Sequence, residues 1–205
     1  TGLGSSSAFT VSFLELINKI SKKKKSKINI AKQANMIERN ILKENVGLQD
    51  TFHSSIGGLN IFKFYKNKTV IHKVKISKNK INLLNKSMVM CYVGNPRKSS
   101  NISKLHIKKI KNRKNENYLN EMYLSVEKAK KILLGYNGDV MLIELGNLLN
   151  QNWNMKKNLS EKISNKKIDN IINIGLKNGA YGAKLCGAGG GGFVFFLIKE
   201  SYKKK

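Results

Sequence analysis

Apolar residues recur at spacings of three and four in several parts of the chain, a pattern that predicts amphipathic helices. The first predicted helix follows a segment rich in glycine and serine and covers about residues 8–20, and the second covers residues 29–43. The same spacing predicts helices within residues 118–133, 140–149 and 166–177, the last of which ends before Gly179.

Short runs rich in β-branched and aromatic residues alternate with these helices and predict strands. Residues 59–65 and 69–76 flank a polar turn, so we expect them to pair antiparallel. Residues 88–93, 183–186 and 193–198 predict three further strands. Because helices and strands mix without a strict strand-helix-strand alternation, the pattern favours an α+β fold.

Composition narrows the class of protein. With 205 residues, of which 40% are hydrophobic, the chain is long enough to bury a core in one or two domains. The longest clean apolar run covers residues 193–198 and is far shorter than the roughly 18 residues of a membrane span, so no membrane partner is expected. Cys91 and Cys186 lie in apolar stretches away from any metal-ligand spacing, which predicts reduced, buried thiols in a cytoplasmic protein.

The net charge of +27 raises the possibility of a nucleic-acid partner. The excess consists almost entirely of lysine, since only Arg39, Arg97 and Arg113 are arginine, and it accompanies an abundance of asparagine and isoleucine. All three abundant residue types have codons made of A and T alone, so an AT-rich gene accounts for the composition. We therefore expect no specific nucleic-acid partner, and at most weak, salt-sensitive binding of nucleic acid.

Two segments rich in glycine are candidates for ligand contact. The first, the glycine-serine loop, precedes a predicted helix, where backbone N–H groups and hydroxyls favour a phosphate; a simple capping loop with a serine N-cap is the alternative. It consists of Gly2, Leu3, Gly4, Ser5, Ser6 and Ser7. The second, the glycine-rich loop of residues 187–192, contains four consecutive glycines. Such a run implies close approach of a ligand or of another chain segment, and we favour the ligand.

Glu38 and Asp50 are two of only 12 acidic residues in the chain. Phosphoryl transfer uses a carboxylate to hold Mg²⁺ and a second one to orient or deprotonate the attacking hydroxyl. Taken singly, however, Glu38 fits a surface helix charge that pairs with lysine, and Asp50 fits the N-cap of a short helix.

Taken together, these motifs resemble the GHMP kinase superfamily of galactokinase, homoserine kinase, mevalonate kinase and phosphomevalonate kinase. The glycine-serine loop followed by Ala8 is similar to its second motif, and residues 184–192 are similar to its third. Further motifs resemble the branch of D-glycero-D-manno-heptose 7-phosphate kinases. They are Ile37-Glu38-Arg39, Val46-Gly47-Leu48-Gln49-Asp50, Gly57-Gly58-Leu59-Asn60, Tyr92-Val93-Gly94 with Arg97-Lys98-Ser99-Ser100, and Leu149-Asn150-Gln151-Asn152-Trp153 with Lys156-Lys157.

The resemblance implies ATP and Mg²⁺ as cofactors and the transfer of a phosphoryl group to the anomeric hydroxyl of a heptose 7-phosphate. In that scheme the glycine-serine loop cradles the ATP phosphates, Ser6 and Glu38 hold the metal, and Asp50 is the base or orienting carboxylate. The implied substrate contacts are Arg97, Lys184, Gly187, Ala188, Gly189 and Gly190.

The resemblance also implies a two-lobed α+β fold, with residues 1–87 as the remainder of an N-terminal lobe and residues 88–205 as the C-terminal lobe. We expect the chain to be the C-terminal part of a longer protein, because members of the superfamily carry a segment before the second motif. Another sugar kinase of the superfamily, such as a fucokinase-like enzyme, and an inactive kinase fragment are the alternatives. A homodimer is a further possibility.

Overall fold

The computed structural model describes residues 2–94 and 115–203. These residues form two compact units, the first made of Leu3–Lys75 and the second of Gly2 with the described part of Ile76–Lys205. Within this described part of the chain, no helix combines the length and the apolarity needed to cross a membrane.

The first unit combines three helices with a hairpin, and a single π-helical turn, Ile37–Ile41, follows its second helix. Its elements are α1 (Ser5–Ile20), α2 (Lys27–Met36), α3 (Gln49–Ile56), β1 (Asn60–Phe64) and β2 (Thr69–Lys73). The two strands pair antiparallel from Asn60 opposite Lys73 to Phe64 opposite Thr69, which confirms the predicted pair.

Two small apolar clusters hold the first unit together. Helices α1 and α2 bury Val11, Leu14, Ile30 and Ala34 against each other. Phe52 of α3 is fully buried and meets the ring of Phe64 edge-on at 5.3 Å, which packs the helix onto the hairpin. Burial of such a ring contributes about 1.5–3 kcal/mol.

The predicted helix over residues 29–43 is wrong in its second half. The regular helix ends at Met36, and the amide of Leu42 donates to the carbonyl of Ile37, five residues back. This wider turn rotates the residues that follow, so Ile41 and Leu42 are exposed although the helical pattern placed them in the core. The same turn places Glu38 in the interior.

The described residues of the second unit form a three-stranded sheet and four helices. Its elements are α4 (Lys78–Ser87), β3 (Met88–Gly94), α5 (Glu116–Gly135), α6 (Gly138–Asn158), α7 (Lys166–Lys177), β4 (Ala180–Leu185) and β5 (Gly192–Ile198), with a short 3₁₀ turn at Glu200–Tyr202. The strand order is β3-β5-β4, and both pairings are antiparallel. The α+β prediction is thereby confirmed, and α7 has the predicted bounds. Helix α4 was not predicted from the sequence.

Helix α6 lies directly against strand β4 because both backbones carry glycine where they touch. A Cβ on Gly182 would lie 2.3 Å from the carbonyl oxygen of Gly146, so no larger residue fits. Four residues along α6, Asn150 donates to the carbonyl of Tyr181 at 3.1 Å and accepts from the amide of Ala183 at 3.0 Å. The helix thus bonds to the strand through one side chain.

Helix α7 and the sheet enclose the larger core of the second unit. Its most buried members include Trp153, Leu159, Ile163, Ile168, Ile172, Leu185 and Val194. Cys91 and Cys186 are free thiols, as predicted, but both are half-buried, whereas the sequence analysis placed them in the interior. The boundary between the compact units falls at residues 75–76, so α4 lies in the second unit. The lobe boundary between residues 87 and 88 stays a prediction.

Candidate functional site

In the first unit, the glycine-serine loop leads directly into α1. Gly4 adopts a left-handed conformation with φ 69° as the N-cap residue, and no side chain caps the helix. The alternative of a serine N-cap is therefore wrong. Ser5 and Ser6 are exposed at the first turn, where backbone N–H groups and the positive end of the helix dipole favour an anion.

Glu38 occupies the π-helical turn and is 1% exposed. The Ser7 hydroxyl donates to its Oε2 at 3.0 Å, whereas Oε1 has no hydrogen-bond partner among the described residues. The interpretation of Glu38 as a surface charge is therefore wrong. A π-helical turn inserted into a helix is frequent at functional sites, which agrees with its position here.

Burial raises the pKa of Glu38 above 4.5, and the nearby charges of Asp50 and Glu44 raise it further. The hydroxyls of Ser7 and Thr10 act in the opposite direction because they favour the charged form. The carboxylate is therefore short of compensating charge. A divalent cation at Oε1 would supply that charge.

Asp50 lies exposed in the first turn of α3, whose N-cap residue is Leu48, so the N-cap interpretation of Asp50 is wrong. Its side chain lies next to the backbone of the glycine-serine loop, since a Cβ on Gly4 would be 3.4 Å from the carboxyl carbon. Residues 4–7, 38 and 50 are thus brought together within one unit. Ser7 is the hydroxyl that contacts Glu38, and Ser6 is the neighbour that the sequence analysis assigned to the metal.

This set fits Mg²⁺ in its donor chemistry. Magnesium prefers oxygen ligands and is commonly bound by one or two protein carboxylates together with substrate phosphates and water. The described residues hold no group of three or more His, Cys, Asp or Glu side chains that could bind a metal by themselves. Glu38 offers an unused buried oxygen, so the phosphates of a nucleotide would have to complete the coordination.

In the second unit, the glycine-rich loop connects β4 to β5. Gly187 has φ 69°, and a Cβ there would lie 2.6 Å from the Cα of Gly2. A Cβ on Gly189 would lie 2.9 Å from the Cα of Ile163, and the amide of Gly190 donates to the Ile163 carbonyl at 2.9 Å. Chain segments therefore account for the glycines at residues 187 and 189, where the sequence analysis favoured a ligand.

Lys184, the predicted substrate contact on β4, is held by α6. Its ammonium donates to the side-chain oxygen of Asn152, whose amide donates to the hydroxyl of Ser125 at 3.0 Å. Burial lowers the pKa of Lys184. Arg97, the other predicted phosphate contact, lies outside the described residues.

Lys156 also contacts the glycine-rich loop; the sequence analysis noted the motif that contains it but assigned it no role. It is 9% exposed, and its ammonium donates to the carbonyls of Leu185 at 3.0 Å and Gly187 at 2.6 Å. The only signal in the sequence was its place one helical turn after Asn152, on the same face of a helix.

Comparisons with known proteins place this geometry in context. The family model described as "GHMP kinases N terminal domain" matches residues 1–58, and the one described as "GHMP kinases C terminal" matches residues 141–205. A D-glycero-alpha-D-manno-heptose 7-phosphate kinase of Campylobacter jejuni is 31% identical over 99% of this chain and 59% of its own length. A mevalonate kinase of Methanocaldococcus jannaschii is 30% identical over 100% of this chain and 60% of its own length.

Solved structures show the same fold. A D-glycero-D-manno-heptose 1-phosphate kinase from Bacteriodes thetaiotaomicron aligns with a TM-score of 0.74 at 21% identity, over 100% of this chain and 55% of its own. L. major mevalonate kinase in complex with R-mevalonate also aligns with a TM-score of 0.74, at 18% identity, over 98% of this chain and 59% of its own. The chain spans about three fifths of the length of the curated relatives described above.

Proposed function

We propose, from the premise that the chain belongs to the GHMP kinase family, that it is part of a kinase acting on a phosphorylated sugar. Kinases of this family are ATP-dependent phosphotransferases that act on hydroxyl groups of sugars or mevalonate. The specific proposal is phosphorylation of the anomeric hydroxyl of D-glycero-D-manno-heptose 7-phosphate, which gives the 1,7-bisphosphate.

The observation that carries the proposal is the buried carboxylate of Glu38 with its unused Oε1, in the same unit as the glycine-serine loop and Asp50. A buried carboxylate without a counter-charge is unfavourable unless a cation neutralises it. Helix N-terminal amides beside such a group suit a cation together with a polyphosphate. The buried carboxylate and the helix N-terminal amides together support the binding of a magnesium nucleotide more strongly than either feature alone.

In the proposed mechanism, the first-turn amides of α1 and the hydroxyls of Ser5, Ser6 and Ser7 hold the ATP phosphates. Glu38 and Ser6 hold Mg²⁺, which when bound neutralises charge on the transferring phosphoryl group. Asp50 accepts the proton of the acceptor hydroxyl or orients that hydroxyl for attack. Its exposure leaves the carboxylate accessible to an acceptor.

The substrate part of the proposal assigns the acceptor phosphate to Lys184 and Arg97 and the floor of the site to residues 187–190. Lys184 uses one of its three donors on Asn152, so its ammonium can still reach a phosphate. The similarity to mevalonate kinases makes mevalonate a second candidate acceptor. The carboxylate of mevalonate would also suit a lysine, so Lys184 does not by itself distinguish the two acceptors.

The test is an ADP-release assay with Mg-ATP on this chain and, in parallel, on the complete product of its gene. The acceptor panel contains heptose 7-phosphate, heptose 1-phosphate, mevalonate, galactose and fucose. Preferred turnover of heptose 7-phosphate by either protein supports the proposal. Preferred turnover of mevalonate or of an unphosphorylated sugar contradicts the acceptor, and no turnover by a folded complete protein contradicts the kinase activity itself.

A further inference from the structure

We propose that Lys156 is a positioning residue that fixes the conformation of the glycine-rich loop from its protein side, and that the kinase requires this for turnover. The inference rests on the proposed function in that its catalytic consequence needs a kinase. Its structural part, the hydrogen bonds from one ammonium to the carbonyls of Leu185 and Gly187, can be tested without activity.

Lys156 is hydrogen-bonded to the backbone at the start of the glycine-rich loop. Its ammonium contacts the carbonyl oxygens of Leu185 and Gly187, the last residue of β4 and the first of the glycine-rich loop. It also lies 6.0 Å from the ring centre of Trp153, which is 3% exposed. A cation between two carbonyls and an indole ring is fixed in position by charge-assisted hydrogen bonds and by the π-face.

The charge of the Lys156 ammonium has no carboxylate beside it among the described residues. Burial together with the charge of Lys184 lowers the pKa of Lys156 from 10.5 to about 8. A buried cation without a counter-charge is tolerated only where its hydrogen bonds are well made. Apolar side chains would fill the core at this place with less penalty, so the placement of a lysine here points to a role for its donors.

The hydrogen bond from Lys156 orients the start of the glycine-rich loop. With the Gly187 carbonyl bound to Lys156, its oxygen is directed toward α6. Among the described residues, no hydrogen bond joins the amides of Gly187 and Ala188 to a carbonyl. A loop whose first carbonyl is bound on one side and whose first two amides are unused suits contact with an anionic ligand.

Lys156 and the partner of Lys184, Asn152, lie on the same helix. Asn152 and Lys156 are four residues apart on α6 and therefore lie on one face. Asn152 holds the ammonium of Lys184, and Lys156 holds the carbonyls on either side of Cys186. One helix face thus sets both the proposed phosphate contact and the loop that follows it.

The experiment compares Lys156→Met, which keeps the length of the side chain but removes its donors and charge, with Lys157→Met as the matched control. Lys157 is half-exposed and pairs with Asp169 on the surface. Hydrogen exchange of a peptide covering residues 185–192 is measured in each ligand-free protein, with thermal unfolding as a measure of global stability. Steady-state kinetics of the complete gene product follow.

Within this peptide the amides of Cys186 and Gly190 are hydrogen-bonded to the carbonyls of Phe193 and Ile163. We expect Lys156→Met to speed the exchange of these two amides by about tenfold or more without lowering the unfolding temperature, because the variant also removes a buried charge. We expect kcat/KM for the acceptor to fall by roughly tenfold to a hundredfold, mainly through kcat. Lys157→Met should match the wild type in each measurement. Unchanged exchange in residues 185–192 of Lys156→Met would overturn the proposal.

A measurement on the wild type guards against a variant that does not fold. NMR can detect a scalar coupling between the Lys156 ammonium and the Gly187 carbonyl carbon across their hydrogen bond. Observation of this coupling supports the proposed bond, and absence of the coupling below pH 7 overturns the proposal. If the complete wild-type protein phosphorylates no acceptor, the proposed function fails while the exchange and coupling results still decide the structural role of Lys156. If the kinase is active and Lys156→Met retains full kcat, the catalytic role of Lys156 is contradicted.

Discussion

The two compact units carry charges of opposite sign at their glycine-containing loops. The first unit places Glu38 and Asp50 at the glycine-serine loop, and the second places Lys156 and Lys184 at the glycine-rich loop. Burial raises the pKa of Glu38 and lowers the pKa of both lysines, so in each unit it works against the charged form. Each unit therefore holds buried charge that its described residues do not neutralise.

This contrast shows which ligand each unit suits. An uncompensated carboxylate favours a cation, and uncompensated ammonium groups favour an anion. In the proposed kinase, a magnesium nucleotide would meet the first need and the phosphate of a phosphorylated acceptor would meet the second. Each of the following predictions changes one side of this contrast.

The largest expected effect comes from Asp50→Asn in the complete gene product. If Asp50 orients or deprotonates the acceptor hydroxyl, kcat should fall by roughly 10²- to 10⁴-fold. Nucleotide affinity should stay within about threefold, since a base contributes mainly in the transition state. The assay is ADP release under saturating substrate, with nucleotide binding measured separately by calorimetry; retained kcat would exclude this role for Asp50.

A comparably large effect is expected in the pH dependence of stability. The folded-state pKa of Lys156, about 8, is below its ordinary value of 10.5, so at pH values below 8 both states are protonated and the burial penalty is fully present. Between pH 8 and 10.5 the unfolded state binds more protons, and stability rises with pH.

The wild type should accordingly gain about 2–3 kcal/mol between pH 7 and pH 10 relative to Lys156→Met. Urea unfolding of both proteins at the two pH values provides the measurement. An equal pH response in the two proteins would show that Lys156 titrates normally, which contradicts its uncompensated burial.

Glu38→Gln removes the charge from the first unit while it keeps the shape of the side chain. Magnesium-dependent nucleotide binding should weaken by roughly tenfold to a hundredfold, because a charge-assisted contact is lost. Binding of the nucleotide without Mg²⁺ should change far less. Calorimetric titrations with and without Mg²⁺ check both statements, and an unaltered magnesium requirement would remove Glu38 from the metal site.

The smallest effect concerns the lysines at the surface, such as Lys86 and Lys157, which are at least one third exposed. If their abundance reflects codon composition, a random oligonucleotide should bind with a Kd no tighter than roughly 10⁻⁶ M at physiological salt and be released by added salt. Fluorescence anisotropy over a salt series tests this. Tight binding that survives high salt would reverse our view of the basic surface.

Much of the fold was predictable because it follows local patterns. The period of apolar residues gave α7 its bounds, and the polar turn of residues 66–68 indicated the pairing of β1 with β2. Helix α4 was missed because its apolar positions are few and lie among polar residues in the short segment of residues 78–87.

The candidate site was predictable only as motifs. The order of the glycine segments and the carboxylates indicated the family, but the burial of Glu38 depends on a π-helical turn that a helical period does not encode. Lys156 was missed because its partners are backbone carbonyls, whose positions depend on how α6 packs on β4. Tertiary packing, which sequence spacing does not specify, decides both cases.

The contact between Asn150 and strand β4 also affects the behaviour of the protein at high concentration. Among the described strands β4 lies at the edge of its sheet, where unpaired backbone groups could recruit a strand from a neighbouring molecule. Asn150 already occupies the carbonyl of Tyr181 and the amide of Ala183. With these two groups occupied, we expect the edge of β4 to be a poor template for a strand of a neighbouring molecule.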